Sequence, residues 1–290
     1  KEVVLDELNS YLDSPSDRIF DDFEAKLFKG HSLGGNILGN ETTIRAFSRE
    51  ALQKYVGKFF TAKNMVVSYV GDQSLHRIKK LVEQYFGETP TTVLPNDFVD
   101  FKEKNSFKES VQLANYQVHA LVGGIGPGYN KESRRGMTLL TNILGGPALN
   151  SRLTLSIREK YGYSYSVEAN YTPYMDVGFW TIYLGTDQKN LYKSLNLVQK
   201  ELKILREKKM GVLQLNRSKE QLKGHIALSL EGNSGLMLGL GKSLLMFNQI
   251  DTISDIYSEI DKLTASELLE IANEYFTDQN FNELIFDLKE

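Results

Sequence analysis

The stretch SREALQKYVGKFFTAKNMVVS, residues 48–68, recurs later in the chain as TASELLEIANEYFTDQNFNEL, residues 264–284. At a constant offset of 216 the pairs are Leu52 with Leu268, Phe59 with Tyr275, Phe60 with Phe276, Thr61 with Thr277, Asn64 with Asn280 and Met65 with Phe281. Both copies are typical of a capped amphipathic helix, a Thr-x-x-Asn turn and a β-rich run, Met65–Val70 in one and Leu284–Leu288 in the other. Internal repeats determine architecture, so the sequence predicts duplicated domains.

The second copy completes a unit of strands and helices. An alternating strand over Ser110–Gly123 ends in the turn-rich GGIGPGYN, and Lys131–Leu144 and Leu149–Lys160 are predicted to be helical. Tyr163–Tyr171 and Val177–Leu184 are predicted to pair as a hairpin, and amphipathic helices lead to the final strand. Runs of strands separated by runs of helices predict an α+β fold made of α/β layers, a mostly antiparallel sheet with helices packed on one face.

The first copy begins partway through this unit. Its predicted elements are Glu2–Leu12, Ser16–Lys29, the helix after Ser48, the strand Met65–Val70 and the helix Leu75–Phe86. By the repeat offset, its opening strand would lie about 105–110 residues before Lys1, so this copy is predicted to be truncated at its N-terminus. The predicted domains are residues 1–90 for the C-terminal half of the first copy, 91–106 for a linker, and 107–290 for the complete second copy.

Composition excludes several classes of protein. The net charge of −3, without a basic run, argues against a nucleic-acid binder. No apolar run approaches the roughly 20 residues that a membrane helix requires, so no membrane partner is expected. The absence of cysteine excludes disulfides, thiolate zinc sites and thiol nucleophiles. No compartment is assigned, because the true start of the chain is predicted to be missing, and a cytoplasmic location is only a mild default.

A helix-to-strand junction carries the first candidate site. The stretch LNSRLTLSIREKYGYSYSV, Leu149–Val167, places Arg158 and Tyr165 seven residues apart. Gly162 is predicted to end the helix as a C-cap residue, and Tyr163–Val167 alternates as a strand does. A helix-end arginine and a strand tyrosine in this arrangement can converge on one carbonyl or carboxylate. An exposed arginine and a core tyrosine fit the same spacing.

Several segments together resemble the pitrilysin-like, inverted zinc-motif metallopeptidases, the family that includes mitochondrial processing peptidase. VVLDEL at Val3–Leu8 is similar to the Val-x-x-x-Glu helix of that family, and HSLGGNILG at His31–Gly39 is similar to its HPLGxxILG segment. The KNMVVSYVGD and SRLxxxIREKxGxxYSV stretches also match. The resemblance covers essentially all 290 residues and implies two similar domains that enclose a cleft.

The resemblance implies roles for three residues. Glu7 matches the third zinc ligand; in the family two histidines of an H-x-x-E-H motif and this glutamate bind Zn²⁺, with water in the fourth position and the glutamate of the motif as general base. Arg158 and Tyr165 match residues directed toward the bound peptide, where tyrosine can donate to the scissile carbonyl and arginine can anchor peptide carbonyls. Spacing alone would make Glu7 an exposed acid. Glu2 and Asp6 are weaker candidates for partners of the zinc ligand.

The H-x-x-E-H motif itself is absent from the sequence. Four isolated histidines are present, at His31, His76, His119 and His225, and His31 falls in a predicted structural turn. A single carboxylate does not hold catalytic zinc, so the chain as given is expected to be inactive and the metal helix is expected upstream. GLMLGLGKS at Gly235–Ser243 lacks the spacing of a phosphate loop and is predicted to be a helix or a linker.

Two functions are consistent with this sequence. The first is the C-terminal two-thirds of a zinc metalloendopeptidase, which hydrolyses peptides or unfolded polypeptides held extended along a sheet edge, with Zn²⁺ bound in the full-length parent. The second is a non-catalytic family subunit or scaffold that pairs with an active partner. Because a half domain exposes apolar surface, the chain is predicted to associate with its missing N-terminal segment or with a homo- or hetero-oligomeric partner.

Overall fold

A computed structural model describes residues 1–93, 101 and 106–289. The chain divides into two compact units, which we call the sheet unit (Lys1–Ile44, Asp100–Glu220 and Lys262–Glu290) and the helical unit (Arg45–Val99 and Gln221–Asp261). Each unit therefore contains residues from both predicted copies. The predicted linker, residues 91–106, lies for the most part outside the described residues, and the predicted domain boundaries stay a prediction.

Runs of helices and runs of strands follow one another along the chain, as in an α+β fold, which confirms the predicted class. The helices are α1 (Glu2–Leu12), α2 (Pro15–Leu27), α3 (Glu41–Ala46), α4 (Arg49–Phe59), α5 (Leu75–Phe86), α6 (Ser133–Gly145), α7 (Leu191–Glu207), α8 (Val212–Ser229), α9 (Asn233–Phe247), α10 (Ile253–Lys262) and α11 (Ala265–Tyr275). The strands are β1 (Lys108–Leu113), β2 (Val118–Pro127), β3 (Ser164–Pro173), β4 (Val177–Thr186) and β5 (Asn282–Leu288). The glycine-rich stretch at 235–243 lies inside α9, as one of its two interpretations predicted.

The five strands form one sheet in the order β1-β5-β2-β4-β3. Neighbouring strands pair antiparallel, except that β1 and β5 are parallel, and the predicted β3–β4 hairpin is confirmed. The single strand predicted over Ser110–Gly123 is wrong, because β1 and β2 are separate strands and β2 continues to Pro127. Gly123 and Gly124 were predicted to belong to a turn, but they lie within β2 and allow other backbone to approach closely. A Cβ at Gly124 would lie 1.9 Å from the carbonyl oxygen of Asn280.

Helices cover both faces of the sheet within the sheet unit, whereas the sequence predicted them on one face only. Helices α6 and α11 contact one another, α6 contacts β2 and β3, and α2 contacts β2 and β5. Strand β4 is buried at every position, so it requires cover on both of its faces. The buried residues of the α2 core are Ile19, Phe23, Leu27, Phe28, Leu121, Val177, Phe179, Tyr183, Leu284 and Phe286.

The two copies of the repeat share their local structure. Ser48 caps α4 by accepting from the amide of Ala51 at 3.1 Å, and Thr264 caps α11 by accepting from Glu267 at 3.2 Å. A short 3₁₀ turn follows each helix, at Ala62–Asn64 and at Asp278–Asn280. The predicted helix and turn are thus confirmed in both copies.

The strand of the repeat is confirmed in the second copy only, as β5. Among the described residues, Met65–Val70 belongs to no sheet, because no strand lies there to pair with it. One side of this segment contacts α9, since the Ser68 hydroxyl donates to the carbonyl of Met237 at 2.7 Å and a Cβ at Gly241 would lie 3.1 Å from Ser68 Cβ. By the repeat offset α9 is the equivalent of α2, which packs on β5.

Candidate active site

Arg158 lies in a π-helix, Thr154–Glu159, instead of the regular helix predicted over Leu149–Lys160. The wider turn is visible in the hydrogen bond from the amide of Lys160 to the carbonyl of Leu155, at 3.0 Å and five residues back. Turns of this width are rare and are frequently found at functional sites. The π-helix was not predictable from local sequence, because one residue added to a helical turn leaves the apolar pattern almost unchanged.

Gly162 ends the π-helix, as predicted, with a φ of +61° that disfavours any residue with a Cβ. The amide of Gly162 donates to the carbonyl of Arg158 at 2.9 Å, and the amide of Tyr163 donates to that of Ile157 at 3.0 Å. Each of these bonds spans one residue more than its counterpart in a Schellman cap, so the π spacing persists to the helix end. The chain then turns directly into β3.

Tyr165 lies at a β-bulge on the edge strand β3. Ser164 pairs with Thr186 and Ser166 with Gly185, so Tyr165 is the additional residue between two paired positions. The Ser164 hydroxyl fixes the bulge, because it donates to the carbonyl oxygen of Gly185 at 2.6 Å. Bulges redirect side chains at strand edges, and the Tyr165 side chain is 84% exposed. The alternative of a core tyrosine is therefore wrong.

The π-helix contacts β3, so Arg158 and Tyr165 belong to one corner of the sheet unit. The Arg158 side chain is 43% exposed, and its Nε lies 3.5 Å from a carboxylate oxygen of Glu159. Exposed ion pairs contribute little, so a peptide carbonyl or carboxylate can replace Glu159 at small cost. Within the described residues no strand pairs with the outer side of β3, which therefore offers backbone donors and acceptors to an extended peptide.

A cluster of aromatic and cationic side chains flanks Arg158 and was not predicted from the sequence. The rings of Tyr161 and Tyr163 stack with centroids 5.1 Å apart and an interplanar angle of 12°. Lys160 Nζ lies 5.1 Å from the centroid of Tyr161, and Lys193 Nζ lies 5.4 Å from that of Tyr163. Tyrosines at every second position were a visible signal. Lys193 lies on α7, and no pattern in the sequence predicted that it would lie beside Tyr163.

Glu7 lies on a separate helix, α1, and is exposed. Helix α1 packs on α2, with Leu5 and Leu8 in a small core that includes Ile44. Across residues 1–93, 101 and 106–289, no three His, Cys, Asp or Glu side chains cluster closely enough to hold a metal ion. The described residues therefore do not fit a complete zinc site. The assignments of Glu7, Arg158 and Tyr165 remain predictions.

Two of the histidines have structural partners. His31 begins the predicted turn, where its Nδ1 accepts from the amide of Leu33 at 3.2 Å. His119 is buried on β2, and its Nδ1 lies 2.7 Å from the hydroxyl of Tyr183 on β4. Burial lowers the pKa of His119 and raises the pKa of Tyr183 to about 12. This pair is therefore neutral near pH 7 and stabilises the sheet.

Comparisons with known proteins place the sequence among peptidases. Residues 46–222 match the family described as "Peptidase M16 inactive domain". The uncharacterized zinc protease YmxG of Bacillus subtilis is 31% identical over 278 residues, which are 96% of this chain and 67% of that protein. An uncharacterized zinc protease of Rickettsia bellii is 26% identical over 95% of this chain and 66% of its own length. The chain thus spans about two thirds of the length of these curated relatives.

Solved structures share the fold. A peptidase M16 inactive domain from Pseudomonas fluorescens has a TM-score of 0.89 and 19% identity, over 100% of this chain and 69% of that one. A protease from Helicobacter pylori has a TM-score of 0.86 and 17% identity, over 99% of this chain and 70% of that one. A chain of Complex III2 from Candida albicans has a TM-score of 0.86 and 15% identity, over 99% and 70%. At these identities the likeness establishes the fold alone.

Proposed function

We propose, from the premise that the chain belongs to the peptidase M16 family, that it forms the peptide-holding part of a zinc peptidase acting on peptides or unfolded polypeptides. The observation that carries this proposal is the corner of Arg158 and Tyr165 beside the outer edge of β3, with which no described strand pairs. The names of two relatives, both zinc proteases, support the reaction class. The metal would be bound in the longer parent protein, with Glu7 as one carboxylate ligand.

In this proposal the chain binds and orients the peptide. An extended substrate adds to the outer edge of β3, where backbone hydrogen bonds give affinity without strong sequence preference. The phenol of Tyr165 donates to a substrate carbonyl, and the planar guanidinium of Arg158 anchors a neighbouring carbonyl or a carboxylate. The bulge and the π-helix set the direction of these two side chains. The hydrolytic step itself requires groups that the described residues do not supply.

A non-catalytic subunit is the second candidate. The description of the matched family as an inactive domain favours it. Such a subunit would keep the fold and bind peptides or a partner without completing a metal site. Peptide binding at β3 is expected under both candidates, whereas hydrolysis by the longer parent is expected only under the first.

Peptide binding to the isolated chain tests the role of the corner. The anisotropy of a fluorescein-labelled, unstructured peptide should rise on titration with the chain. Tyr165→Phe and Arg158→Gln should each weaken binding roughly tenfold, since each removes one hydrogen-bonding anchor. Tyr116→Phe is the matched control, because Tyr116 is fully exposed between β1 and β2. Equal affinities for all four proteins would contradict the proposed corner.

Hydrolysis by the longer parent distinguishes the two candidates. Glu7→Gln in that protein should abolish zinc-dependent cleavage of an unstructured peptide, while Asp13→Asn at the C-cap of the same helix should leave it nearly unchanged. Cleavage that survives Glu7→Gln would refute the ligand assignment. A parent that binds peptide at the β3 corner but never cleaves it would establish the non-catalytic subunit instead.

A further inference from the structure

A cavity of about 720 Å³ lies between α7, the end of α11 and the beginning of β1. Its volume is within the range of roughly 300–1,000 Å³ that is typical of small-molecule sites. The cationic side chains that line it are Lys108, Lys200, Lys203 and Arg206, and we call it the basic cavity. All of its lining residues belong to the sheet unit, and none of them lies in residues 1–90, the part of the chain predicted to form the first copy.

Helix α7 supplies most of the polar lining, because its sequence places polar residues along one side. Asn196, Lys200, Lys203 and Arg206 follow one another at spacings of three or four residues, so they share one side of the helix. Val198, on the opposite side, is completely buried. Amide and cationic donors therefore border the cavity over about 15 Å of α7.

The two carboxylates that line the basic cavity neutralise it only weakly. A carboxylate oxygen of Glu207 lies 3.7 Å from Lys203 Nζ, and both side chains are more than half exposed. Asp278 pairs with Arg206 at 3.2 Å, but the Asp278 side chain is 92% exposed. Exposed ion pairs contribute little to stability, so an anion can displace either carboxylate at small cost. Lys200 forms no ion pair with any carboxylate of the described residues.

Neutral groups hold two of the cations at the cavity. Lys108 Nζ lies 5.8 Å from the ring centroid of Phe281, a cation–π contact that fixes the ammonium group at one end. Asn273 Nδ2 donates to the backbone carbonyl of Arg206 at 2.8 Å, which binds the end of α7 to α11. The Arg206 side chain is 22% exposed, and its buried Nε has no hydrogen-bond partner among the described residues. The guanidinium would therefore break no Nε hydrogen bond on turning toward an anion, where its planar fork can bind two oxygens at once.

We propose that the basic cavity binds a small anion that carries a diphosphate group. Its four cations outnumber its two carboxylates, although the whole chain has a net charge of −3. The charged oxygens of a diphosphate accept charge-assisted hydrogen bonds from ammonium and guanidinium groups, and the side-chain amides of Asn196 and Gln199 add neutral donors. Cations gathered in one cavity favour such a compact anion over an acidic peptide, whose carboxylates are spread along an extended backbone.

The basic cavity is separate from the β3 corner. Lys193, beside Tyr163 at that corner, and Arg206, in the cavity, both lie on α7. They are 13 residues apart (206 − 193), which is about 20 Å along the helix axis. The proposal therefore requires neither peptide binding nor zinc, and its failure would leave the proposed function unaffected.

Calorimetric titration of the chain with inorganic pyrophosphate tests the proposal. The buffer is free of metal ions and contains about 0.15 M salt, which screens the field of distant surface charges. We expect one-to-one binding, which the double variant Lys200→Gln with Lys203→Gln should weaken roughly thirtyfold, because it removes two charged donors. Arg206→Lys keeps the charge but loses the planar fork, and should weaken binding roughly fivefold.

A matched control separates the cavity from net charge. Lys79→Gln with Lys80→Gln removes the same two charges from exposed positions on α5, in the helical unit, and should leave the affinity unchanged. Equal weakening by the two double variants would overturn the proposal, as would the absence of pyrophosphate binding. Melting temperatures from circular dichroism should be the same for all of these proteins.

Two further titrations identify the source of the anion. Adenosine diphosphate that binds more tightly than pyrophosphate, and whose affinity falls in the cavity variants, would support a nucleotide as the natural anion. Tighter binding of pyrophosphate would support an inorganic diphosphate. A glutamate-rich peptide that binds the cavity more tightly than both would overturn the proposal, because an acidic peptide would then be the occupant.

Discussion

Residues 48–70 and 264–288 have the same local structure but different environments. Each helix begins at a hydroxyl cap, and each turn carries an asparagine whose side chain donates to a carbonyl five residues back. Among the residues that the structure describes, only the second copy is incorporated into the sheet, where its helix α11 packs against α6. Caps, helices and turns are therefore determined by the local sequence, whereas strand pairing and burial depend on elements that are distant in the chain.

The largest expected difference between the copies concerns the leucine they share. Leu268→Ala should lower the free energy of unfolding by about 2–5 kcal/mol, because it leaves a cavity between α11 and α6. Leu52→Ala at the equivalent position should change it by no more than about 0.5 kcal/mol, because the side chain is exposed. Urea denaturation followed by circular dichroism measures both. Equal losses of stability would show that α4 is already covered, and would contradict the predicted difference between the two copies.

The asparagine of the turn should show the next largest contrast. Asn280→Ala should cost about 1–3 kcal/mol, because it leaves the amide and carbonyl of Ile125 without their partner. Asn64→Ala removes one long hydrogen bond at an exposed turn and should cost less than about 0.5 kcal/mol. Fluorescence of Trp180, the only tryptophan, reports the unfolding of the sheet unit for the Asn280 variant. A cost of Asn64→Ala equal to that of Asn280→Ala would contradict this account.

Helix capping should be nearly the same in the two copies. Ser48→Ala and Thr264→Ala should each destabilise their helix by about 1 kcal/mol, because a cap requires only the local backbone. The cap at Thr264 should stabilise its helix slightly more than the cap at Ser48, since Glu267 completes a capping box there. Residue-resolved hydrogen exchange of the first helical turn measures the two losses separately. A loss confined to the second copy would mean that capping also depends on tertiary cover.

Acid should loosen the covered copy first, and this is the smallest effect. Burial lowers the pKa of His119 on β2, so the folded chain favours the neutral imidazole. Stability from this group is complete above the unfolded pKa of about 6.5 and is lost as the pH falls below it, because protons then favour the unfolded chain. Exchange protection of β5, which pairs with β2, should fall between pH 7.5 and 5.5. His119→Gln should flatten that dependence, and an unchanged dependence would exclude His119 as its source.

Local sequence was sufficient for much of the fold. The bounds predicted for Glu2–Leu12 and Leu75–Phe86 agree with the structure, because the apolar stripe and the caps that define a helix all lie within that helix. The division between β1 and β2 was not predictable in this way, since β1 is fixed by parallel pairing with β5 at the far end of the chain. The glycines at 123–124 suggested a turn, but they allow contact with backbone that is distant in sequence.

The candidate site was predictable in its position but not in its geometry. Gly162 marked the end of the helix, and the resemblance singled out Arg158 and Tyr165 on either side of it. The π-helix and the bulge each add one residue to a regular element. The sequence pattern around them is still typical of a helix and a strand, but the side chains point in directions that a regular helix and strand would not give. The position of Lys193, which α7 contributes beside this corner, depends on tertiary packing and cannot be predicted from a local sequence pattern.

Hydrogen exchange of the isolated chain tests the central comparison most directly. We predict that amides in the middle of α11 and β5 exchange at least roughly a hundredfold more slowly than those of α4 and Met65–Val70. The reason is that one set lies in a covered sheet, while the other lies on a helix and a segment with an open apolar face. Equal protection of the two copies would contradict this prediction, because it would mean that α4 and Met65–Val70 are already covered.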